Sequence, residues 1–198
     1  MDPYLLLVVV LLLYALAASG PSVLGREPLA WGQAGETLIW GAGLLAAAWA
    51  LRAPLPLAYL VALYLLTMRA RLLVELANAL ARRRHPAAAR LYALAQALAW
   101  NPLDRAIVRA NQGAALLHSG RVSEAQAVLD RVLQGGGLGP RLEAACRCNL
   151  GLACLRAGDP QRGRALLRET VALMPGSVYA ERARRELQQL EASPADPQ

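Results

Sequence analysis

The segment Arg147–Pro175, RCNLGLACLRAGDPQRGRALLRETVALMP, decides how the rest of the chain is read. Two helix-forming runs flank Gly158-Asp159-Pro160. Glycine suits the left-handed turn that ends a helix, aspartate caps the next one, and proline fits its first turn. An offset of 38 residues lays 147–171 over 109–133, pairing Arg147 with Arg109, Asn149 with Asn111 and Gly151 with Gly113. Gly158 then meets Gly120, Leu167 meets Leu129 and Thr170 meets Val132. Self-similarity at such a period is the mark of stacked helix pairs, none of which buries its apolar face alone.

These residues resemble the tetratricopeptide repeat (TPR), a helix-turn-helix unit of about 34 residues with small residues where its helices cross, a turn glycine and a closing proline. Asn149-Leu150-Gly151 matches the core of its first helix, Gly158-Asp159 the turn, Leu167 the large position of its second helix and Pro175 the closing proline. Gly113, Leu116, Gly120, Ala125 and Leu129 fill the same slots one repeat earlier. The chain departs from the pattern at Arg109 and Arg147, where Trp is usual, and at Gly163, where Ala is usual. The run Gln134–Pro140 lengthens one inter-repeat loop by four residues. A more degenerate copy over 70–103 has its turn at His85-Pro86 and ends at Trp100-Asn-Pro102, with Arg90 where a small residue is expected. The repeats are therefore expected at 70–103, 106–138 and 144–176, giving an all-α solenoid.

Local signals supply the ends. Ser123 with Gln126 reads as a capping box, and Asp159-Pro160 as an N-cap followed by proline. Residues 177–191 read as a polar-backed terminal helix, with Val178, Tyr179, Ala183, Leu187 and Leu190 toward the stack. The tail 192–198, with Pro194 and Pro197, reads as disordered.

Outward from the repeats toward the N-terminus, the composition changes. Residues 1–68 carry five charges (Asp2, Arg26, Glu27, Glu36 and Arg52), whereas 69–198 carry 19 Arg and 11 acids, a net of +8. There is no Lys and no Phe, which reads as codon bias of a GC-rich genome and weakens any argument from arginine abundance. Tyr4–Leu24 is uncharged over 21 residues, enough to cross about 30 Å of hydrocarbon. A cleaved signal peptide is the rival reading, but the chain opens Met-Asp-Pro without a basic n-region. Apolar sequence resumes from Thr37 to Met68, and Arg52-Ala-Pro54-Leu-Pro56 breaks it. The expected membrane domain is thus 1–74, with spans near 4–24, 34–52 and 55–74; for 34–74, one span plus an interfacial helix is the alternative, giving two spans in all. Trp31, Trp40, Trp49, Tyr59 and Tyr64 are candidate interface anchors. Arginines following the last span place the repeats in the cytoplasm.

Residues with site chemistry are few. His85 and His118 lie apart in no ligand pattern. Cys146 and Cys148 project about 200° apart on a helix, so with Cys154 they read as small core residues in a reducing compartment. No phosphate loop, nucleophile elbow or zinc motif is present, so neither catalysis nor a cofactor is expected. Asn78, Asn111 and Asn149 recur once per repeat, and the resemblance places such positions on a concave groove. Its expected lining is Asn78, Ile107, Ala110, Asn111, Ala114, Leu117, Cys148, Asn149, Leu152 and Arg156. Hydrogen bonding of these amides to a neighbouring helix is the competing reading. Arg69, Arg71, Arg82, Arg83 and Arg84 follow the last span and are expected to meet anionic lipid headgroups. Without stacking aromatics or a groove-entering motif, nucleic acid is not expected. The reading is a membrane-anchored scaffold that holds a partner protein or peptide. The alternatives are a membrane-embedded carrier or enzyme subunit regulated by the repeats, and a periplasmic repeat domain behind a signal-anchor.

Overall fold

In the computed structural model the described residues are 2–24 and 31–192, with side chains described from 2–17 and 34–192. The expected tail at 193–198 and the side chain of Trp31 lie outside them. The described residues form nine α-helices and no strand: α1 (Pro3–Leu24), α2 (Trp31–Ala50), α3 (Pro56–Arg82), α4 (Ala87–Leu98), α5 (Pro102–His118), α6 (Val122–Gln134), α7 (Pro140–Arg156), α8 (Pro160–Leu173) and α9 (Val178–Ala192).

The first three helices pack on one another around Leu7, Leu11, Tyr59 and Leu63. Tyr14 reaches Thr67 across 2.6 Å, so α1 and α3 run in the same direction. Between them α2 runs the other way: Glu36 meets Arg69, and the Gly41 carbonyl accepts from the Tyr59 hydroxyl at 3.0 Å. From α3 onward, successive helices pair as α3/α4, α5/α6 and α7/α8, and α9 closes the end. Each odd helix from α3 also touches the next odd helix, whereas α4 and α6 stay apart.

Helix α3 joins what the sequence divides. The expected last span and the first helix of the first repeat are one unbroken helix of 27 residues, about 40 Å long at 1.5 Å per residue. No helix-breaking residue separates Pro56 from Arg82, and the polar face begins while the apolar one continues.

The same helix end is used four times. Arg52, Arg84, Gly120 and Gly158 have φ of 52°, 54°, 83° and 84°. In each, the next residue's N–H reaches back five residues to a carbonyl at 2.9–3.0 Å: Ala53 to Ala48, His85 to Leu80, Arg121 to Leu116 and Asp159 to Cys154. This double-bonded left-handed cap satisfies carbonyls that would otherwise be orphaned. Arg84 therefore occupies the turn slot of Gly120 and Gly158, which sets the register of the first pair. Asn78 lies six residues before its turn, Asn111 and Asn149 nine before theirs, so these asparagines are not equivalent. The connection after Arg84 is one residue shorter than those after Gly120 and Gly158, so the small residue expected at Arg90 is instead Ala88. Ala88 and Tyr92 are buried, as are Ala125 with Leu129 and Gly163 with Leu167 in the later pairs, while Arg90 is exposed.

The crossings explain the glycines. A Cβ on Gly113 would lie 2.7 Å from Leu129 Cγ, and one on Gly151 3.0 Å from Leu167 Cγ. One on Gly163 would meet Leu155 at 2.6 Å and the Gly151 carbonyl at 3.0 Å. Backbones thus touch at the α7/α8 crossing, so an alanine at 163 would push the helices apart.

Two local expectations are corrected. Helix α6 begins at Val122, so Ser123 is already inside it and makes no capping bond; Gln126 donates to Cys154 Sγ at 3.4 Å instead. Val178 is 70% exposed, because Ser177 caps α9 at the Ala180 N–H and turns the first helical residue outward. Capping at Asn101 and Asp159 takes the usual form, each side chain accepting from a backbone N–H three residues on, with proline following.

A left-handed backbone costs a non-glycine residue about 1–2 kcal/mol. Arg84→Gly should therefore raise the stability of the full-length protein by about 1 kcal/mol, after allowing for glycine's freer unfolded chain. Thermal or denaturant unfolding in detergent checks this, with Gly120→Arg shifting in the opposite sense.

Candidate functional site

Helix α4 packs less closely on α5 than α6 does on α7, and the first two helix pairs enclose a cleft at their turn end. Its larger lobe, about 610 Å³, opens between Ala88, Ala89 and Tyr92 of α4 and Glu124, Val128 and Arg131 of α6, with Gln112 and Leu116 of α5 at its floor. A smaller lobe of about 350 Å³ lies on the α3/α5 side, lined by Asn78, Asn111, Ala114 and His118. Ala81, Arg84, Ala115 and Ser119 border both lobes, so the Arg84 turn stands between them. Arg82, Arg84, Arg121 and Arg131 give the cleft a basic rim, offset in part by Glu124, which Arg121 holds through two bonds of 2.6 Å.

A polar relay ties α4, α3 and α5 together beside this cleft. The Tyr92 hydroxyl donates to Asn78 Oδ1 at 2.5 Å, Asn78 Nδ2 donates to Asn111 Oδ1 at 3.1 Å, and Asn111 Nδ2 donates to the Ile107 carbonyl at 2.9 Å. Burial pushes the Tyr92 phenol up to about 12, against the neighbouring Arg82 and with Glu75 adding to the rise, so it remains a donor at neutral pH. Asn78 and Asn111 are thus helix-to-helix fasteners whose outer edges face the smaller lobe. Asn149 is half-buried and makes no side-chain hydrogen bond among the described residues.

The expected groove lining divides. Asn78, Asn111 and Ala114 line the smaller lobe, and Ile107 is half-buried beneath Asn111. Ala110, Leu117, Cys148 and Leu152 are buried in the packed interior and leave the groove. Ala110 packs with Leu129 and Cys146, and Leu117 with Ala125, Cys148 and Leu152. Helices α5 and α7 are each covered by neighbours on both sides, so counting helical positions overestimates their open face. Arg156 is exposed, but its Nη1 donates to the Leu117 carbonyl at 2.9 Å and so closes the end of α5.

The expected headgroup set also divides. Arg69 pairs with Glu36 at 2.6 Å, the two side chains being 15% and 7% exposed. Its guanidinium lies 5.5 Å from the Trp40 ring centroid and 5.9 Å from that of Trp100, and the rings are 5.7 Å apart. Arg71 faces Asp104 at 3.6 Å, a carboxylate also held by Asn101. Each of these two arginines thus faces an acid on another helix, Arg69 largely buried and Arg71 partly exposed. Arg82, Arg83 and Arg84 remain exposed. Sequence reading passed over Tyr92, Gln112 and Arg131 in the cleft and Trp100 at the joint. The signal for the first three was the turn register at Arg84, hidden because arginine stands where the other repeats have glycine.

No group of three or more His, Cys, Asp or Glu converges as metal ligands would among the described residues. Burial pushes the Cys146 thiol up to about 12, with Glu143 adding, and Cys148 up to about 11, against Arg182. Both stay protonated and poorly nucleophilic at neutral pH.

Truncating one member of the relay leaves buried partners unsatisfied, at about 1–3 kcal/mol. Asn78→Ala should destabilise the protein by that amount, while Asn149→Ala should stay within about 0.5 kcal/mol. Equilibrium unfolding of the two variants against wild type reads the difference. No family model, curated protein or solved structure matches the chain.

Proposed function

We propose that this protein is a multi-pass membrane scaffold whose helix pairs form a tetratricopeptide-like stack on the cytoplasmic face, holding a segment of a partner protein in the cleft beside Arg84. The observation that carries this reading is the cleft itself, a two-lobed concavity walled by helices from two successive pairs. Stacked helix pairs recognise extended or helical segments through shape and scattered polar contacts, with no need of a reactive group. The basic rim favours a segment carrying acidic residues.

Membrane anchorage is supported by α3, which is long and apolar enough to cross a bilayer. Outward-facing Leu5, Val9, Leu12, Leu13 and Leu16 on α1, and Leu38, Ile39 and Trp49 on α2, support two further spans. With α1 and α3 parallel, the N-terminus and the repeats then lie on opposite sides, and the arginines at 82–84 put the repeats on the cytoplasmic one. The same three arginines are placed to meet anionic headgroups. Anchoring raises the effective concentration of membrane-bound partners, which suits a small cleft.

A photo-crosslinking residue at Ala114 or Gln112 of the full-length protein should yield a discrete adduct in native membranes. One at the exposed Arg164 on α8 should not, and Arg84→Glu should abolish the adduct. The same adducts from Arg164, or none from either cleft position, would overturn the reading.

A further inference from the structure

Resting on the membrane reading above, we infer that the bilayer does not end at Arg69 but extends along α3 to Glu75–Leu76, so that lipid covers Leu72 and Leu76 and the first helix pair is seated within the interfacial layer. The starting observation is a single exposed stripe. Leu57, Leu60, Val61, Tyr64, Leu65, Leu72 and Leu76 are all exposed, and at 100° per residue they fall within one face about 160° wide. From Leu57 to Leu76 that face rises about 29 Å at 1.5 Å per residue, which matches about 30 Å of hydrocarbon. Stopping at Met68, the last residue before Arg69, would leave only about 17 Å.

Arg69 is what made the boundary look shallow, and the structure removes it as an obstacle. Its charge is paired with Glu36 and its guanidinium packs against both Trp40 and Trp100. Neutralised and covered, the pair can lie below the headgroups where a free arginine would be costly. Arg71, at the other edge of the stripe, is drawn to Asp104. The stripe closes over its last turn, where Glu75 stands beside Leu76 as the one acid on this face, and Arg82 and Arg83 follow on the same side.

The repeat domain itself reaches this depth. Trp100, in the connection between α4 and α5, stacks at the level of Arg69 yet is 53% exposed. An indole with one face on the protein and the other open is suited to the membrane interface. The lipid-facing surface of the span and the exposed face of the first helix pair are therefore continuous, which identifies the occupant as lipid.

The test is site-directed spin labelling of the full-length protein in liposomes, with Cys146, Cys148 and Cys154 replaced by alanine. Labels at Leu65, Leu72, Leu76 and Arg90 are compared for collisions with oxygen, which partitions into lipid, and with a water-soluble nickel chelate. Leu72 and Leu76 should resemble Leu65, oxygen-exposed and nickel-protected, while Arg90 shows the reverse. Nickel exposure at 72 and 76 with oxygen exposure at 65 overturns the inference and leaves the membrane reading intact. Nickel exposure at 65 overturns the membrane reading itself. Protection of 72 and 76 from both reagents means a second copy covers the stripe, and also overturns the inference. Should the cysteine-free chain fail to fold, labelling of the exposed positions in the native background gives the same comparison, because the buried thiols are unreactive.

Discussion

The Arg69–Glu36 pair is the fastening on which the arrangement of the molecule depends. Two opposite charges, each largely removed from water, are held at 2.6 Å between helices that otherwise meet through apolar and aromatic side chains and the Tyr59–Gly41 hydrogen bond. Removing either partner would leave an uncompensated buried charge, which costs far more than the pair contributes when intact. Trp40 and Trp100 close over the guanidinium, adding cation–π attraction and excluding solvent. Because Trp40 belongs to α2, Arg69 to α3 and Trp100 to the α4–α5 connection, one cluster fixes the three-helix bundle to the repeat stack. The continuity of α3 then makes the attachment stiff, since no loop intervenes to absorb rotation.

The cleft follows from how differently the pairs pack. Between α7 and α8, glycines 151 and 163 bring backbones into contact. In the first pair Tyr92 holds the buried place that leucine holds later, and its hydroxyl must be satisfied. The relay through Asn78 and Asn111 does so, linking α4 to α3 and α3 to α5. Helix α4 is thereby tied to α3, yet it packs less closely on α5 than α6 does on α7, and the cleft beside Arg84 opens there.

What could be read from the residues were the features that local chemistry determines. Proline after Asn101 and Asp159, glycine at 120 and 158, and small residues at the crossings each have one inexpensive structural use, and the all-helical architecture follows from them. Three features resisted. Arg84 adopts a glycine-like conformation with nothing local to announce it, so the register of the first pair is not legible in its residues. The Glu36–Arg69 pair joins residues 33 apart across two helices, so each was treated as a separate interfacial charge. Ala110, Leu117, Cys148 and Leu152 looked groove-facing because helical counting identifies a face but not which neighbour covers it. Of the expected site, Asn78, Asn111 and Ala114 border a cavity, whereas Ala110 and Leu117 on the same helix α5 are core.

Helix α3 runs without a break from the N-terminal three-helix bundle into the later helix pairs, and a single distance tests this. Spin labels at Leu57 and Arg82, both exposed, lie 25 residues apart on this helix, a separation of about 38 Å if it is straight and unbroken. Pulsed electron–electron resonance on the full-length protein in liposomes should give a narrow distribution centred near that value. A broad distribution, or a centre well short of it, would mean that the helix breaks between span and repeat, and would contradict the account.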